Sequence, residues 1–165
     1  MLNVSGLISG LTSVFAEMPG DAGMAAKKIS IEYDKYCKAG MAPPGLPVFT
    51  GTEAFRMEHI LSGVLSMPGG NPASVGAAFV AGIQAYWLTP PVPFVAGVVA
   101  GMTTAMPGAG AVAGIVSGAL ANPGNTASTI AGIIGGALDM ATRTLLITYV
   151  MPVPPAGPPP PAMLI

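Results

Sequence analysis

The sequence predicts a mainly α fold: a compact set of short Gly/Ala-rich helices broken by Pro-Gly turns, followed by an extended Pro-rich C-terminal arm. Three observations point there. Apolar residues recur at helical spacing in one segment after another. A Met-Pro-Gly or Asn-Pro-Gly sequence stops the chain at 18–20, 67–69, 106–108 and 122–124. Between Ile60 and Leu138 no side chain carries a charge, so this stretch needs cover from something other than bulk water. The four stop signals are unequally spaced, which reads as shared punctuation and not as a repeat architecture.

In order, residues 3–17 place Val4, Leu7, Ile8, Leu11, Val14 and Phe15 on one helical face. Asp21 is placed to cap the next helix, in which Ile29, Tyr33, Tyr36 and Cys37 form the apolar side. On that helix Lys28 with Glu32, and Asp34 with Lys38, can pair one turn apart. Residues 40–50 hold Pro43, Pro44 and Pro47 and read as a loop, since proline is excluded from a helix interior. Thr50 with Glu53 fits a capping box for a helix that buries Ala54, Met57, Leu61, Val64 and Leu65. Asn71-Pro72 offers a cap and a first-turn proline for a helix over 73–88.

After the break at Thr89-Pro90-Pro91-Val92-Pro93, helical segments are expected over 94–105, 109–121 and 126–144. Small residues stand four apart in them: Gly97 and Gly101, Gly110 and Gly114, Gly118, then Gly132 and Gly136. On a helix such pairs bare the backbone and allow a neighbour to pack unusually close. Each glycine also costs a helix about 0.5–1 kcal/mol relative to alanine, so these helices depend on packing. The β-branched and aromatic run at 145–150 fits a short strand as well as a helix end. Residues 151–165 read as a polyproline arm ending in Met163, Leu164 and Ile165, a greasy terminus suited to latching a partner. The expected organisation is one helical domain over 1–150, with a more polar half at 21–66 and an apolar half at 73–150, and then the arm.

Charged residues make up 8% of the chain and hydrophobic ones 52%, with a formal net charge of −1. That balance argues against a nucleic-acid surface, which needs a clustered basic excess. The stretch before Lys27 has no basic residue and so lacks the positive segment of a secretory signal. One cysteine, Cys37, excludes an internal disulfide. His59, the single histidine, has no partners that complete a metal set, and Cys37 has no neighbouring base. The Gly-rich stretches lack the Lys-Ser or Lys-Thr of a phosphate loop. No catalytic, cofactor-binding or metal site is therefore expected. Asp139 and Arg143 lie one helical turn apart and are expected to form a buried ion pair in apolar surroundings.

A membrane span needs roughly 20 apolar residues, and proline cuts the apolar half into pieces of about 16, 12 and 13. A longer fourth piece carries Asp139 and Arg143 in its body. The order of Tyr33-Asp34-Lys35-Tyr36, a proline-rich loop into Val48-Phe49-Thr50-Gly51, Trp87-Leu88-Thr89-Pro90-Pro91-Val92 and a Thr-rich end before a proline tail resembles small hydrophobic virion structural proteins of contractile-tailed phages. The resemblance implies a tail or baseplate component, located in the virion, whose partners are copies of itself and other proteins of the assembly. A membrane-inserted pore-forming or holin-like protein, or a tail-tip element that contacts the host membrane, is the competing expectation.

Overall fold

A computed structural model describes residues 2–17, 20–42, 46–47, 54–68, 70–87, 101–149 and 162–163. Among the described residues six helices carry the fold: α1 (Val4–Glu17), α2 (Ala22–Lys38), α3 (Ala54–Leu65), α4 (Pro72–Trp87), α5 (Ala109–Ala121) and α6 (Ala127–Arg143). Five short strands accompany them: β1 (Met41–Ala42), β2 (Leu46–Pro47), β3 (Gly101–Ala105), β4 (Leu146–Tyr149) and β5 (Ala162–Met163).

The helices form three hairpins, α1–α2, α3–α4 and α5–α6, which share a set of buried positions in register. In the first helix of each, Leu7, Met57 and Val112 are buried at one level, and Leu11, Leu61 and Val116 at the next. In the second, the buried sets are Ala26, Gly76 and Ala131; Ile29, Phe79 and Ile134; Tyr33, Ile83 and Leu138; and Cys37, Trp87 and Thr142. The offset between hairpins is constant along both helices. The second helices are also capped alike. The Asp21 carboxylate accepts from the Gly23 amide at 3.0 Å, the Asn71 side chain from the Ser74 amide at 2.8 Å, and the Thr126 hydroxyl from the Thr129 amide at 3.2 Å. Each cap satisfies an amide that the first helical turn leaves without a partner.

This corrects the expectation that the chain has no repeat. The stop signal of the first hairpin falls one residue later than in the other two, and the connection into the third hairpin is longer than that into the second. Both slips spoil the spacing of the Pro-Gly signals while leaving the helices in register.

Each helix packs on its neighbours in the chain, and α6 packs back on α1, so the hairpins close into a ring with pseudo-threefold symmetry. One hydrophobic cluster runs through all six helices. Backbones come close between α4 and α5, where a β-carbon on Gly76 would meet the Ala113 carbonyl. Between α6 and α1, a β-carbon on Gly135 would lie 2.7 Å from the Ile8 side chain. Ile8 and Ala113 hold equivalent places, so two junctions of the ring use the same device: a second-helix glycine facing the first helix of the next hairpin.

The last two turns of α2, α4 and α6 converge at one end of the ring, as the hydrogen bonds described below show. Strand β4 continues from that end of α6 and pairs antiparallel with β3, Thr103 opposite Ile147, and on its other edge with β5, Leu146 opposite Met163. The run near 145–150 is thus a strand over Leu146–Tyr149. The segment 94–105 is not a helix where it is described. Residues 101–105 pair with β4, because β-branched Thr103 and Thr104 suit a ladder that Ile147 and Thr148 complete. Gly101 therefore belongs to a strand and forms no helical pair with Gly97, which lies outside the described residues, as do Thr50 and Glu53.

Candidate functional site

The chemically richest place in the molecule is the convergent end. Four aromatic residues from α2 and α4 are buried there together: Tyr33, Tyr36, Tyr86 and Trp87. The Thr142 hydroxyl donates to the Leu138 carbonyl at 2.7 Å, so Tyr33 Oη donates to Thr142 Oγ1 at 2.8 Å and accepts from Trp87 Nε1 at 2.9 Å. One phenol thus ties all three second helices together. Around it stand two similar junctions. Tyr36 of α2 donates to Asp139 of α6 at 2.5 Å, and Asp139 pairs with Arg143 at 2.8 Å. Tyr86 of α4 donates to Asp34 of α2 at 2.9 Å, and Asp34 pairs with Lys38 at 2.7 Å.

These two junctions are related by the pseudo-threefold. The third would link α6 to α4, and there Ala141 and Gln84 stand where the others have tyrosine and aspartate. The Asp34–Lys38 pair forms as the spacing predicts. Lys28 instead reaches Glu17 across the α1–α2 hairpin, and Glu32 takes Lys35. The Asp139–Arg143 pair is present but not buried: the Arg143 side chain is 45% exposed and that of Asp139 17%. It sits at the rim because Arg143 lies on the outward side of a last turn whose other side buries Ala141 and Thr142.

Burial raises the Tyr33, Tyr36, Tyr86 and Cys37 ionisations well above their ordinary ranges, since an anion loses its hydration in this interior. For Tyr36 and Tyr86 the carboxylate that accepts the phenol proton adds to the effect. The Cys37 thiol is fully buried against this cluster and stays protonated, which leaves it a packing residue and not a nucleophile. His59 is exposed on α3 and stacks on Phe55 at 6.3 Å. Among the described residues no group of three His, Cys, Asp or Glu is placed to hold a metal ion.

The α5 and α6 glycines predicted to serve helix packing lie elsewhere. Added β-carbons at Gly110, Gly114, Gly118, Gly132 and Gly136 would meet nothing within 4 Å. Within the chain, close packing falls instead to Gly10, Gly76, Gly82, Gly108 and Gly135, while the predicted α5 and α6 glycines line the outside of the third hairpin. The outside of α6 differs sharply from that of α2. Where α2 presents Lys27, Lys28 and Lys35, the matching places on α6 hold Gly132, Ile133 and Met140, with Ile133 36% and Met140 39% exposed. Sequence reading found Asp139, Arg143 and the glycines but missed the tyrosine cluster and the substituted face. The signal available was Asp34…Lys38 recurring as Asp139…Arg143 and Tyr36-Cys37 as Tyr86-Trp87, each in register with the hairpins.

At the tail, Ala162–Met163 pair with β4 of the same chain; Leu164 and Ile165 lie outside the described residues. Among the described residues no helix is long and apolar enough to cross a membrane. Comparison with known protein families, with curated proteins and with solved structures finds no match to this chain.

Proposed function

We propose that this chain is a structural subunit of a large symmetric assembly, of the kind represented by phage tails, baseplates and related injection machines. Its partners are other copies of itself and other proteins of the assembly, and no reaction, cofactor or nucleic acid is assigned to it. The observation that carries the reading is the outer face of α6, where Gly132, Ile133 and Met140 take the places that Lys27, Lys28 and Lys35 hold on α2. Nothing inside the ring requires that exchange, because both helices bury the same pattern. An outer face that has lost its charged residues is what a protein neighbour would cover.

The test is the double variant Ile133→Lys, Met140→Lys. Both side chains are partly exposed, so the purified variant is expected to keep its helical circular dichroism and its unfolding midpoint. It is expected to lose self-association in light scattering, or incorporation into particles from cells that make it. A wild-type chain that stays monomeric and particle-free defeats the proposal. Recovery of the chain in membranes of expressing cells, without particles, would favour the pore-forming reading.

A further inference from the structure

We infer that the hollow between α3 and α4 edged by Phe55, Arg56 and His59 is a docking site for an acidic protein partner, a segment that sets an Asp or Glu carboxylate beside an apolar side chain. It lies on the second hairpin, whereas the assembly reading rests on the third. The hollow measures about 310 Å³ and is lined by Phe55, Arg56, His59 and Ile60 of α3 and by Ala85 of α4.

The other hairpins show what the fold itself asks of these places. Where α3 has Phe55 and His59, α1 has Ser5 and Ser9, and α5 has Gly110 and Gly114. Where α3 has Arg56, they have Gly6 and Ala111. Where α4 has Ala85, α2 has Lys35 and α6 has Met140. The ring thus closes elsewhere with small residues at the first set of places and long ones at the last. The second hairpin reverses both, so a hollow opens at Ala85 with large side chains around it. Phe55 is 67% exposed and stacks on His59, which leaves an apolar ring in water beside an arginine. Aromatic and arginine side chains together are what the centres of protein interfaces concentrate.

The charge selects an acid. Lys28, Lys35, Lys38 and Arg143 each hold a carboxylate of this chain, whereas Lys27 and Arg56 hold none among the described residues. Lys27 is exposed beside the paired lysines of α2. Arg56 instead borders the apolar hollow, in the first turn of α3, where the helix dipole disfavours a cation. Glu58 is two residues along the helix and so faces away from it. A guanidinium takes a carboxylate through two parallel hydrogen bonds, and the His59 imidazole offers a further donor at the same edge. Phe55, Ile60 and Ala85 then cover the apolar side chain next to that carboxylate.

The experiment replaces Phe55 with photoreactive benzoylphenylalanine in the full chain, irradiates the particles or cells that contain it, and reads the cross-linked peptides by mass spectrometry. The expected adduct is a peptide of another protein with an Asp or Glu close to the cross-link. Arg56→Glu reverses the charge, and Ala85→Met fills the hollow with the residue type that α6 holds at the matching place. Each is expected to lower the adduct yield by roughly tenfold or more. Both positions are at least partly exposed, so unchanged helical circular dichroism and urea midpoints separate loss of docking from loss of fold. A yield that either variant leaves unchanged, an adduct with lipid or with another copy of this chain, or no adduct at all overturns the inference and leaves the α6 face to its own test.

Discussion

The first and third hairpins share a skeleton and differ in much of the charge that skeleton shows to the outside. Both bury apolar residues at matching places, Leu7 and Val112, Ile29 and Ile134, Tyr33 and Leu138. On the outside, α2 carries Lys27, Lys28, Lys35 and Lys38, whereas α6 carries Gly132, Ile133, Met140 and Arg143 in their places. Ser5, Ser9 and Ser13 on α1 face out where α5 has Gly110, Gly114 and Gly118. The interior answers to the fold, which needs the same wedge three times to close a ring. The exterior is free of that demand, so its divergence reports on what surrounds each hairpin.

If the interior alone holds the ring, conditions that charge it should act far more strongly than changes outside. The largest effect is expected from alkali. The folded state holds Tyr33, Tyr36, Tyr86 and Cys37 protonated above their unfolded values of 10.0 for the phenols and 9.0 for the thiol. Their contribution is fully present below pH 9.0 and falls as pH rises, because the unfolded chain then releases protons that the folded chain keeps. Each such group removes about 1.4 kcal/mol per pH unit once its unfolded form titrates, so a loss on the order of 7 kcal/mol is expected by about pH 11. Urea unfolding at a series of alkaline pH values measures it. A flat stability between pH 8 and 11 would mean that the cluster is open to water.

Single substitutions sharpen the same contrast. Gly76→Ala sets a β-carbon against the Ala113 backbone, which cannot swing aside as a side chain can. A net cost of about 1–3 kcal/mol in unfolding free energy is expected, even after the helix gain from alanine. Tyr33→Phe removes the donor to Thr142 and the acceptor of Trp87 at the point where α2, α4 and α6 meet. Its expected cost is about 1–3 kcal/mol with little change in helix content, again read from urea midpoints.

Much of this was legible in the sequence and some was not, for physical reasons. Helix boundaries follow from local chemistry, so 109–121 matches α5, Asp21 and Asn71 cap as expected, and Asp139 meets Arg143. Strand β3 was hidden because a short apolar run such as 94–105 has no period that separates a buried strand from a helix. The ring symmetry was hidden because Leu, Met and Val serve one buried place equally well, so Leu7, Met57 and Val112 share a role without sharing identity. Lys28 went to Glu17 and not to Glu32 because the hairpin brings α1 alongside, a contact that no single-helix spacing can show.

The smallest effect has the most informative sign. Glycine in a helix interior costs about 0.5–1 kcal/mol relative to alanine, and an alanine at Gly114 or Gly132 would enter open space in the isolated chain. Gly114→Ala and Gly132→Ala are therefore expected to raise the unfolding free energy of the monomer by about that amount, opposite in sign to Gly76→Ala. A structure selected only for its own stability would have filled those positions. If alanine there stabilises the monomer yet weakens association in light scattering, the bare backbone is kept for a neighbour that comes closer than a methyl group allows. If both variants stabilise the monomer and associate as the wild type does, the glycines serve no contact, and the apolar surface of the third hairpin rests on Ile133 and Met140 alone.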